Sequence, residues 1–259
     1  MLRQCCYNLR VLTSPDRSQD PRLHGRLAVV TGGGRGLGKA LVEALAAAGA
    51  DVAFSHRESS DGATDAAKAV QARGRRAFTA RADARRPGEL AAFVDDAATA
   101  LGGIDLLVNN VGVFRKAPLE SLEEAALDEA FAVNVKAAVM ASKAATPHMR
   151  RRGGGSIVNV ASLGGLRPWR SYLPYCATKS ALIMATRCLA LALGPEIRVN
   201  AVAPGILDPP GAGEAVRARV PMKRFGRVAE AVEAVLFLLA GATYSTGAVL
   251  AVDGGREHF

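Results

Sequence analysis

The chain has 259 residues, of which 49% are hydrophobic, and its formal net charge is +9 at pH 7. This length and apolar content fit one α/β domain with a large core, and no apolar run approaches the roughly 20 residues of a membrane span. The basic residues are dispersed and only 5% of residues are aromatic, so an anionic cofactor or substrate, or no function at all, explains the charge as well as nucleic acid does. We therefore expect a small-molecule substrate and neither a nucleic-acid nor a membrane partner.

The N-terminal residues differ from the rest of the chain. Residues 1–24 are polar and arginine-rich and show no hydrophobic periodicity. A segment of this composition buries too little apolar surface to offset its loss of conformational entropy on folding. We predict a flexible N-terminal extension, or an over-extended start, over residues 1–24 and one folded domain over residues 25–259.

The cysteines carry no sign of a metal site or a disulfide framework. They are Cys5, Cys6, Cys176 and Cys188, and their spacing matches no metal-ligand pattern. We therefore expect a reducing cytoplasm and no bound metal.

Seven short apolar runs alternate with helical patterns from residue 26 onward. Strands that are apolar on both faces, separated by helices, are typical of a parallel sheet covered on each side. The sequence predicts a single Rossmann-type, doubly wound α/β domain whose seven-stranded parallel sheet has helices on both faces. We expect two long helices over Leu127–Met149 and Tyr175–Leu193. The predicted strands cover residues 27–30, 51–55, 76–80, 104–110, 155–162, 197–205 and 248–255.

A glycine-rich turn, TGGGRGLGKA, follows the first predicted strand at Thr31–Ala40. A P-loop kinase or ATPase is a disfavoured hypothesis, because Ala40 stands where the nucleotide-triphosphate loop needs Ser or Thr to hold magnesium. The pattern G-x-G-x-x-G is not completed in any register either. A glycine turn that leads into a helix still offers free N–H groups and the positive end of the helix dipole. The sequence therefore predicts an anion-binding turn.

The order of glycines in this turn carries a family resemblance. Gly32, Gly36 and Gly38 follow the pattern T-G-x-x-x-G-x-G, which resembles the short-chain dehydrogenase/reductase family. The resemblance extends over about Gly25 to Gly255. It implies that this turn binds a nicotinamide dinucleotide.

The end of the second strand indicates which dinucleotide is bound. A ribose 2′-OH is usually held by an Asp or Glu there, whereas a 2′-phosphate favours an Arg. The strand ends with Ser55, His56 and Arg57, and the acidic residue Glu58 comes only afterwards. Arg35, inside the glycine turn, has a guanidinium suited to the same phosphate. The sequence therefore predicts NADP(H) as the cofactor.

The family resemblance implies further cofactor contacts along the carboxyl edge of the sheet. Asp83 closes the third strand, where the family places an Asp near the adenine. The residues NNVG resemble the family's N-N-A-G. Ile206 stands where many members carry a Thr, so we expect it to contact the cofactor through its backbone. The remaining implied contacts are Gly34, Leu37, Asn109, Asn110, Gly112, Pro204 and Gly205, together with Tyr175 and Lys179.

The motif YCATK contains a candidate catalytic pair. Tyr175 and Lys179 are four residues apart on a predicted helix and therefore share one face. An ammonium beside a phenol favours the phenolate, so we expect Lys179 to lower the pKa of Tyr175 toward neutrality. Ser162 ends the fifth strand thirteen residues earlier, and a hydroxyl there can stabilise a developing oxyanion. Asn134 matches the helix Asn that in the family maintains a water-linked proton path.

Two finer resemblances leave the substrate open. Ser162 matches 3-oxoacyl-carrier-protein reductases and general ketone reductases, whereas Phe114 matches a position at which bacterial pteridine reductases stack the pterin ring. We predict a carbonyl or C=N reductase with Phe114, Ser162 and Tyr175 at the substrate. A non-catalytic NADPH-binding regulator is the alternative outside the enzymes. The family resemblance also implies a homotetramer, or a homodimer, formed through the two long helices.

Overall fold

The computed structural model describes residues 21–207 and 214–257. The predicted N-terminal extension, with Cys5 and Cys6, lies almost entirely outside the described residues. Leu23 is buried in the core and its N–H donates to the carbonyl of Ala48 at 3.0 Å. The packed fold therefore already includes Leu23, just ahead of the predicted boundary at residue 25.

All seven strands lie in one parallel sheet, which confirms the predicted fold class. Their spatial order is β3-β2-β1-β4-β5-β6-β7, and every neighbouring pair runs parallel. The strands are β1 Leu27–Thr31, β2 Asp51–His56, β3 Ala77–Arg81, β4 Leu106–Asn109, β5 Gly155–Val160, β6 Ile197–Pro204 and β7 Val249–Val252.

Helices cover both faces of this sheet. Along β1, Ala28 and Val30 pack into the core on one face, whereas Leu27 and Val29 pack into the core on the other. This burial on both sides is the reason for the continuous apolar strands. The helices are α1 Gly36–Ala47, α2 Ser60–Gln71, α3 Pro87–Leu101, α4 Glu124–Phe131, α5 Ala137–Arg151, α6 Leu173–Leu193, α7 Glu214–Arg217 and α8 Val228–Leu236.

The strand order opens a crevice at the centre of the sheet. The chain moves outward from β1 to β3 and then returns to place β4 on the other side of β1. The connections after β1 and β4 therefore diverge at their carboxyl ends, which is where ligands bind in sheets of this kind.

The predicted helix Leu127–Met149 is interrupted. A single π-helical turn at Ala132–Lys136 separates α4 from α5, and Asn134 lies at its centre. Such turns widen a helix locally and are frequent at functional sites. Spacing in the sequence does not reveal this turn, because the hydrophobic pattern continues through it.

The second long helix forms as predicted, as α6. It is the one helix in the described ranges that is long and apolar enough to cross a membrane by length and composition alone, and one-third of its most apolar window is buried. Its buried residues include Lys179, Leu182 and Ile183, so the same helix builds the domain core and the candidate site.

Candidate active site

The glycine turn depends on glycine for its shape. Gly32 and Gly36 have φ angles of +75° and +53°, in the region that side chains disfavour. A Cβ on Gly38 would lie 1.9 Å from the carbonyl oxygen of Gly32, so only glycine lets α1 approach the turn this closely. The first turn of α1 thus directs its free N–H groups into the crevice.

This turn is hydrogen-bonded to Ser55 of β2 and to Asn110 at the end of β4, and these two strands flank β1. The Ser55 hydroxyl accepts a hydrogen bond from the N–H of Gly32 at 3.0 Å. The Asn110 amide donates to the carbonyls of Thr31 and Gly32, both at 3.0 Å. Asn110 therefore connects the end of β4 to the turn after β1 by hydrogen bonds.

A cavity of about 400 Å³ opens along the turn, and we call it the cofactor cavity. Most of the predicted cofactor residues meet here, although they come from four separate strand ends. Those that line it are Gly32, Gly34, Arg35, Gly36, Leu37, Gly38, Ser55, His56, Arg57, Asp83, Asn110 and Gly112. Sequence reasoning missed the apolar lining of Ala82, Ala84, Val111, Val113 and Val133.

Charged side chains surround the far end of the cofactor cavity. Arg35 and Arg57 both line it, and Arg57 Nη2 lies 2.7 Å from Glu58 Oε1. Burial, and then the charge of Arg81, lower the pKa of His56, so its imidazole is neutral at pH 7. Glu58 lines the cavity as well, so the charged groups at this end are two guanidinium groups and one carboxylate, and the carboxylate is paired with Arg57.

Asp83 is held by a partner that sequence spacing did not indicate. Its carboxylate accepts hydrogen bonds from Arg85 Nε at 3.0 and 2.9 Å, one to each oxygen. These bonds to Arg85 lower the pKa of Asp83 to about 2 despite its burial. The carboxylate is therefore ionised and fixed in direction at neutral pH.

Asn109 differs from the prediction. Its amide donates to Asn159 Oδ1 at 2.8 Å and to Ser142 Oγ at 3.0 Å. Asn109 lines neither the cofactor cavity nor the smaller cavity beside it. Consecutive residues of a strand point to opposite faces, so only one of the two asparagines can face the cofactor cavity. Asn110 takes that position, and the Asn109 side chain faces α5 and β5.

A second cavity, of about 230 Å³, adjoins the first, and we call it the catalytic cavity. Leu37, Asn110, Gly112 and Val113 line both cavities, so the two form one cleft. The predicted residues that line the catalytic cavity are Phe114, Ser162, Tyr175, Lys179, Pro204 and Gly205. Leu207 lines it and Ile206, which we predicted to contact the cofactor through its backbone, does not; the Ile206 carbonyl accepts the N–H of Gly226.

Ser162 and Tyr175 are joined through their hydroxyl groups. Ser162 Oγ also accepts the N–H of Gly164 at 3.1 Å, which fixes its direction. Burial raises the pKa of Tyr175, and the hydrogen bond with Ser162 opposes that rise without cancelling it. The phenol is therefore protonated at neutral pH and can act as an acid.

Lys179 does not lower the pKa of Tyr175 as we expected. Its Nζ donates to the carbonyl of Val160 at 2.7 Å and lies 5.9 Å from the centre of the Tyr175 ring. Burial lowers the pKa of Lys179 itself to about 8. Desolvation of both groups thus outweighs their mutual attraction in this geometry.

The Asn134 side chain is hydrogen-bonded both to the segment after β4 and to α6, the helix that carries Tyr175 and Lys179. Its Oδ1 accepts the N–H of Val113 at 2.8 Å, and its Nδ2 donates to Thr178 Oγ1 at 2.9 Å. A Cβ on Gly112 would lie 3.3 Å from Asn134 Oδ1 and 3.4 Å from Lys179 Nζ. Asn134 therefore links the strand end after β4 to α6 and brings its amide close to Lys179.

Known proteins are similar to this chain in sequence over most of its length. A profile of the family described as short chain dehydrogenase matches residues 26–219. An uncharacterized oxidoreductase of Mycobacterium tuberculosis is 41% identical over 246 residues, covering 90% of this chain and 93% of that protein. The cis-4-hydroxycyclohexanecarboxylate dehydrogenase of Sinomonas cyclohexanicum is 39% identical over 240 residues, covering 89% and 96%.

A solved structure agrees with these relatives. A short chain dehydrogenase from Burkholderia cenocepacia, crystallised in complex with NADP, superimposes with a TM-score of 0.86 at 39% identity, covering 91% of this chain and 99% of that one. The family predicted from the glycine turn and the YCATK motif is confirmed. The chain therefore belongs to the short-chain dehydrogenase family, and it is an oxidoreductase.

Proposed function

We propose that the chain is an NADP(H)-dependent reductase of a carbonyl or related C=N group. The observation that carries the proposal is the protonated phenol of Tyr175, hydrogen-bonded to Ser162 in the catalytic cavity, which adjoins the cofactor cavity. A proton donor there lies beside the place where a cofactor in the larger cavity would end. The chain's similarity to a structure that binds NADP supports the choice of cofactor.

The residues of the cofactor cavity fit NADP(H). The turn over Gly32–Gly38 would hold the diphosphate, because a backbone this close to a ligand requires glycine and presents N–H groups. Arg35 and Arg57 would hold the 2′-phosphate, and the Asp83 carboxylate would face the adenine. When bound, NADPH supplies the hydride for the reduction.

The catalytic roles follow from the protonation states. Tyr175 donates its proton to the substrate oxygen, and the Ser162 hydroxyl donates a hydrogen bond to the same oxygen as negative charge develops on it. Lys179, protonated at neutral pH because its pKa is about 8, would place a positive charge 5.9 Å from the centre of the phenol ring, where it attracts the phenolate left behind without outweighing the effect of burial. Asn134 positions the segment after β4 through its bonds to Val113, and α6 through its bond to Thr178, the residue before Lys179.

Replacing Tyr175 with Phe tests the proposal, because this change removes only the proton donor. Loss of a general acid lowers the rate typically 10²- to 10⁴-fold. We expect that loss in NADPH consumption over a panel of ketones, 3-oxoacyl thioesters and dihydropterin, with NADPH binding retained. Tyr244→Phe, at a fully exposed tyrosine, is the matched control. An unchanged rate in Tyr175→Phe would reject the assignment.

Small ketones and 3-oxoacyl thioesters are the substrates that we propose. The similarity to a dehydrogenase named for a hydroxycyclohexanecarboxylate supports a secondary alcohol and its ketone as the reacting pair. The exposed ring of Phe114 at the catalytic cavity supports pteridine reduction as a second candidate. Turnover of dihydropterin but of no ketone would favour the second candidate.

We also propose a homotetramer, or a homodimer, in a reducing cytoplasm. Met184 and Leu191 are 55% and 87% exposed on α6, and Phe131 is 41% exposed at the end of α4. A second copy of the chain would remove these apolar side chains from water. The thiols of Cys176 and Cys188 are free, which supports a reducing compartment.

A further inference from the structure

Three aromatic side chains, Phe114, Trp169 and Tyr172, contact one another, and we call them the aromatic wall; two of them, Phe114 and Trp169, also contact the ring of Tyr175. Phe114 stacks on Tyr172 with ring centres 4.8 Å apart and an angle of 8° between the rings. Its ring meets that of Tyr175 edge-to-face at 4.7 Å, and Trp169 stacks beside Tyr175 at 5.9 Å. These separations fall in the range in which aromatic rings attract one another beyond their burial.

Two distant segments of the chain hold the wall in place. The N–H of Ala117 donates to the carbonyl of Ser171 at 2.7 Å, and Ala117 pairs with Tyr172 as an isolated parallel bridge. Ser171 has a φ of +64°, a conformation that a residue with a side chain adopts only when its surroundings enforce it. The stack of Phe114 on Tyr172 is therefore fixed before any substrate arrives.

The wall also packs against the loop that carries Ser162. A Cβ on Gly164 would lie 3.0 Å from the ring of Tyr175 and 3.3 Å from that of Trp169. Glycine at this position lets both rings approach the loop. The wall and the catalytic hydroxyl groups thus pack against the same loop.

Phe114 presents this wall to the catalytic cavity. Its side chain is 57% exposed and lines the cavity, while Tyr172 covers one of its faces. Among the lining residues that the structure describes, Lys179 is the one charged group, and its Nζ already donates to Val160. The volume of about 230 Å³ is below the roughly 300–1,000 Å³ of sites for drug-sized ligands. The cavity therefore suits a compact, uncharged group.

We propose that the aromatic wall selects substrates whose carbonyl belongs to a flat or alicyclic ring, meaning neutral ketones of one or two rings, over open-chain ketones and acyl thioesters. This inference rests on the proposed reductase function of the same site. A ring packs against Phe114 with little loss of internal freedom, whereas an open chain must fix several rotatable bonds. One aromatic contact of this kind changes affinity by about two- to tenfold.

The test compares neutral ketones in matched pairs, with NADPH as cofactor. Cyclohexanone and tetralone are each paired with an open-chain methyl ketone that has as many carbons, and a 3-oxobutyryl thioester is added. We expect kcat/KM to favour each ring ketone by about tenfold. Phe114→Leu should lower each ratio by about two- to tenfold, and Phe114→Tyr should keep it. Phe237→Leu, at an aromatic residue 51% exposed after α8, is the matched control and should leave the ratio unchanged.

Equal kcat/KM values in each pair, or a ratio that Phe114→Leu leaves unchanged, would overturn the proposal. A binding measurement separates this failure from a failure of the reductase function. Trp169 is the chain's single tryptophan, so its fluorescence reports on the wall directly. In the Tyr175→Phe protein saturated with NADPH, ring ketones should quench this fluorescence at lower concentration than their open-chain partners. In one outcome no ketone is turned over, but ring ketones still bind more tightly and Phe114→Leu removes this difference. That outcome would support the selectivity of the aromatic wall and reject the reductase function. Equal quenching by both members of a pair overturns the wall.

Discussion

At the scale of single residues, the catalytic cavity is governed by desolvation. Lys179 and Tyr175 are both largely buried, and burial shifts each toward its neutral form: the pKa of Lys179 falls to about 8 and that of Tyr175 rises. The i, i+4 spacing brought the two side chains together, but it did not determine which electrostatic effect would dominate. Each of these pKa shifts also makes the free energy of unfolding depend on pH.

The first residue-scale prediction concerns Lys179→Met. The folded chain releases the Lys179 proton near pH 8, whereas the ordinary value for an exposed lysine is 10.5. Between these values the unfolded chain binds more protons, so this group raises the free energy of unfolding as pH rises, by up to about 1.4 kcal/mol per pH unit. We expect the rise from pH 8 to 10, measured by urea denaturation, to be smaller in Lys179→Met.

An exposed lysine provides the comparison for this prediction. Lys143 lies on α5 with its side chain in solvent. Lys143→Met should therefore keep the rise between pH 8 and 10. Identical pH profiles for Lys179→Met and the unmodified chain would show that burial does not lower the pKa of Lys179.

The second residue-scale prediction concerns cofactor preference. Arg57→Ala removes a charged hydrogen-bond donor from the cofactor cavity, and such a contact contributes about 1.5–3 kcal/mol. We expect the KM for NADPH to rise about ten- to hundredfold while the KM for NADH changes little. Arg73→Ala, at an exposed arginine after α2, should change neither value. Equal losses with both cofactors would contradict the role of Arg57 at the 2′-phosphate.

At the scale of elements, the glycine turn depends on how closely α1 approaches β1. Backbone, not a flexible side chain, fills the space beside Gly38, because a Cβ added there would meet the carbonyl oxygen of Gly32 at 1.9 Å. The same turn is bonded to β2 through Ser55 and to β4 through Asn110. A shift of α1 would therefore disturb three strands and the cofactor cavity together.

We accordingly expect Gly38→Ala to lower the free energy of unfolding by several kcal/mol, in the range of severe backbone clashes, and to weaken NADPH binding strongly. Gly88→Ala in α3 is the matched control, since nothing lies within 4 Å of the added Cβ. That change should stabilise the chain by up to about 1 kcal/mol. Urea denaturation and NADPH titration of both variants measure these effects. Comparable behaviour of the two variants would contradict the importance of the close approach.

At the scale of the whole molecule, the proposed assembly explains the apolar surface of α6. Leu191 is 87% exposed, so Leu191→Glu costs the isolated subunit little but places a charge in any interface that covers α6. We expect light scattering to report a tetramer, or a dimer, for the unmodified chain and a smaller species for Leu191→Glu. Gln71→Glu, at an exposed position on α2, should leave the mass unchanged. A monomeric mass for the unmodified chain would reject the assembly.

The sequence by itself determined the fold class and most of the candidate site. Apolar strands buried on both faces and separated by helices allow few arrangements other than a covered parallel sheet. The turn over Gly32–Gly38 and the pair Tyr175 and Lys179 are local patterns, which are visible in the order and spacing of neighbouring residues. The structure places the turn along the cofactor cavity and the pair at the catalytic cavity.

Only the tertiary structure decided the features that depend on contacts through space. Which of Asn109 and Asn110 faces the cofactor cavity depends on the layer packed against each side of β4. The direction of the Tyr175 pKa depends on how far the assembled site excludes water. The aromatic wall joins Phe114 to a loop more than fifty residues later, and no periodicity relates the two. Burial and long-range contact are properties of the folded chain, which is the physical reason that spacing could not reveal them.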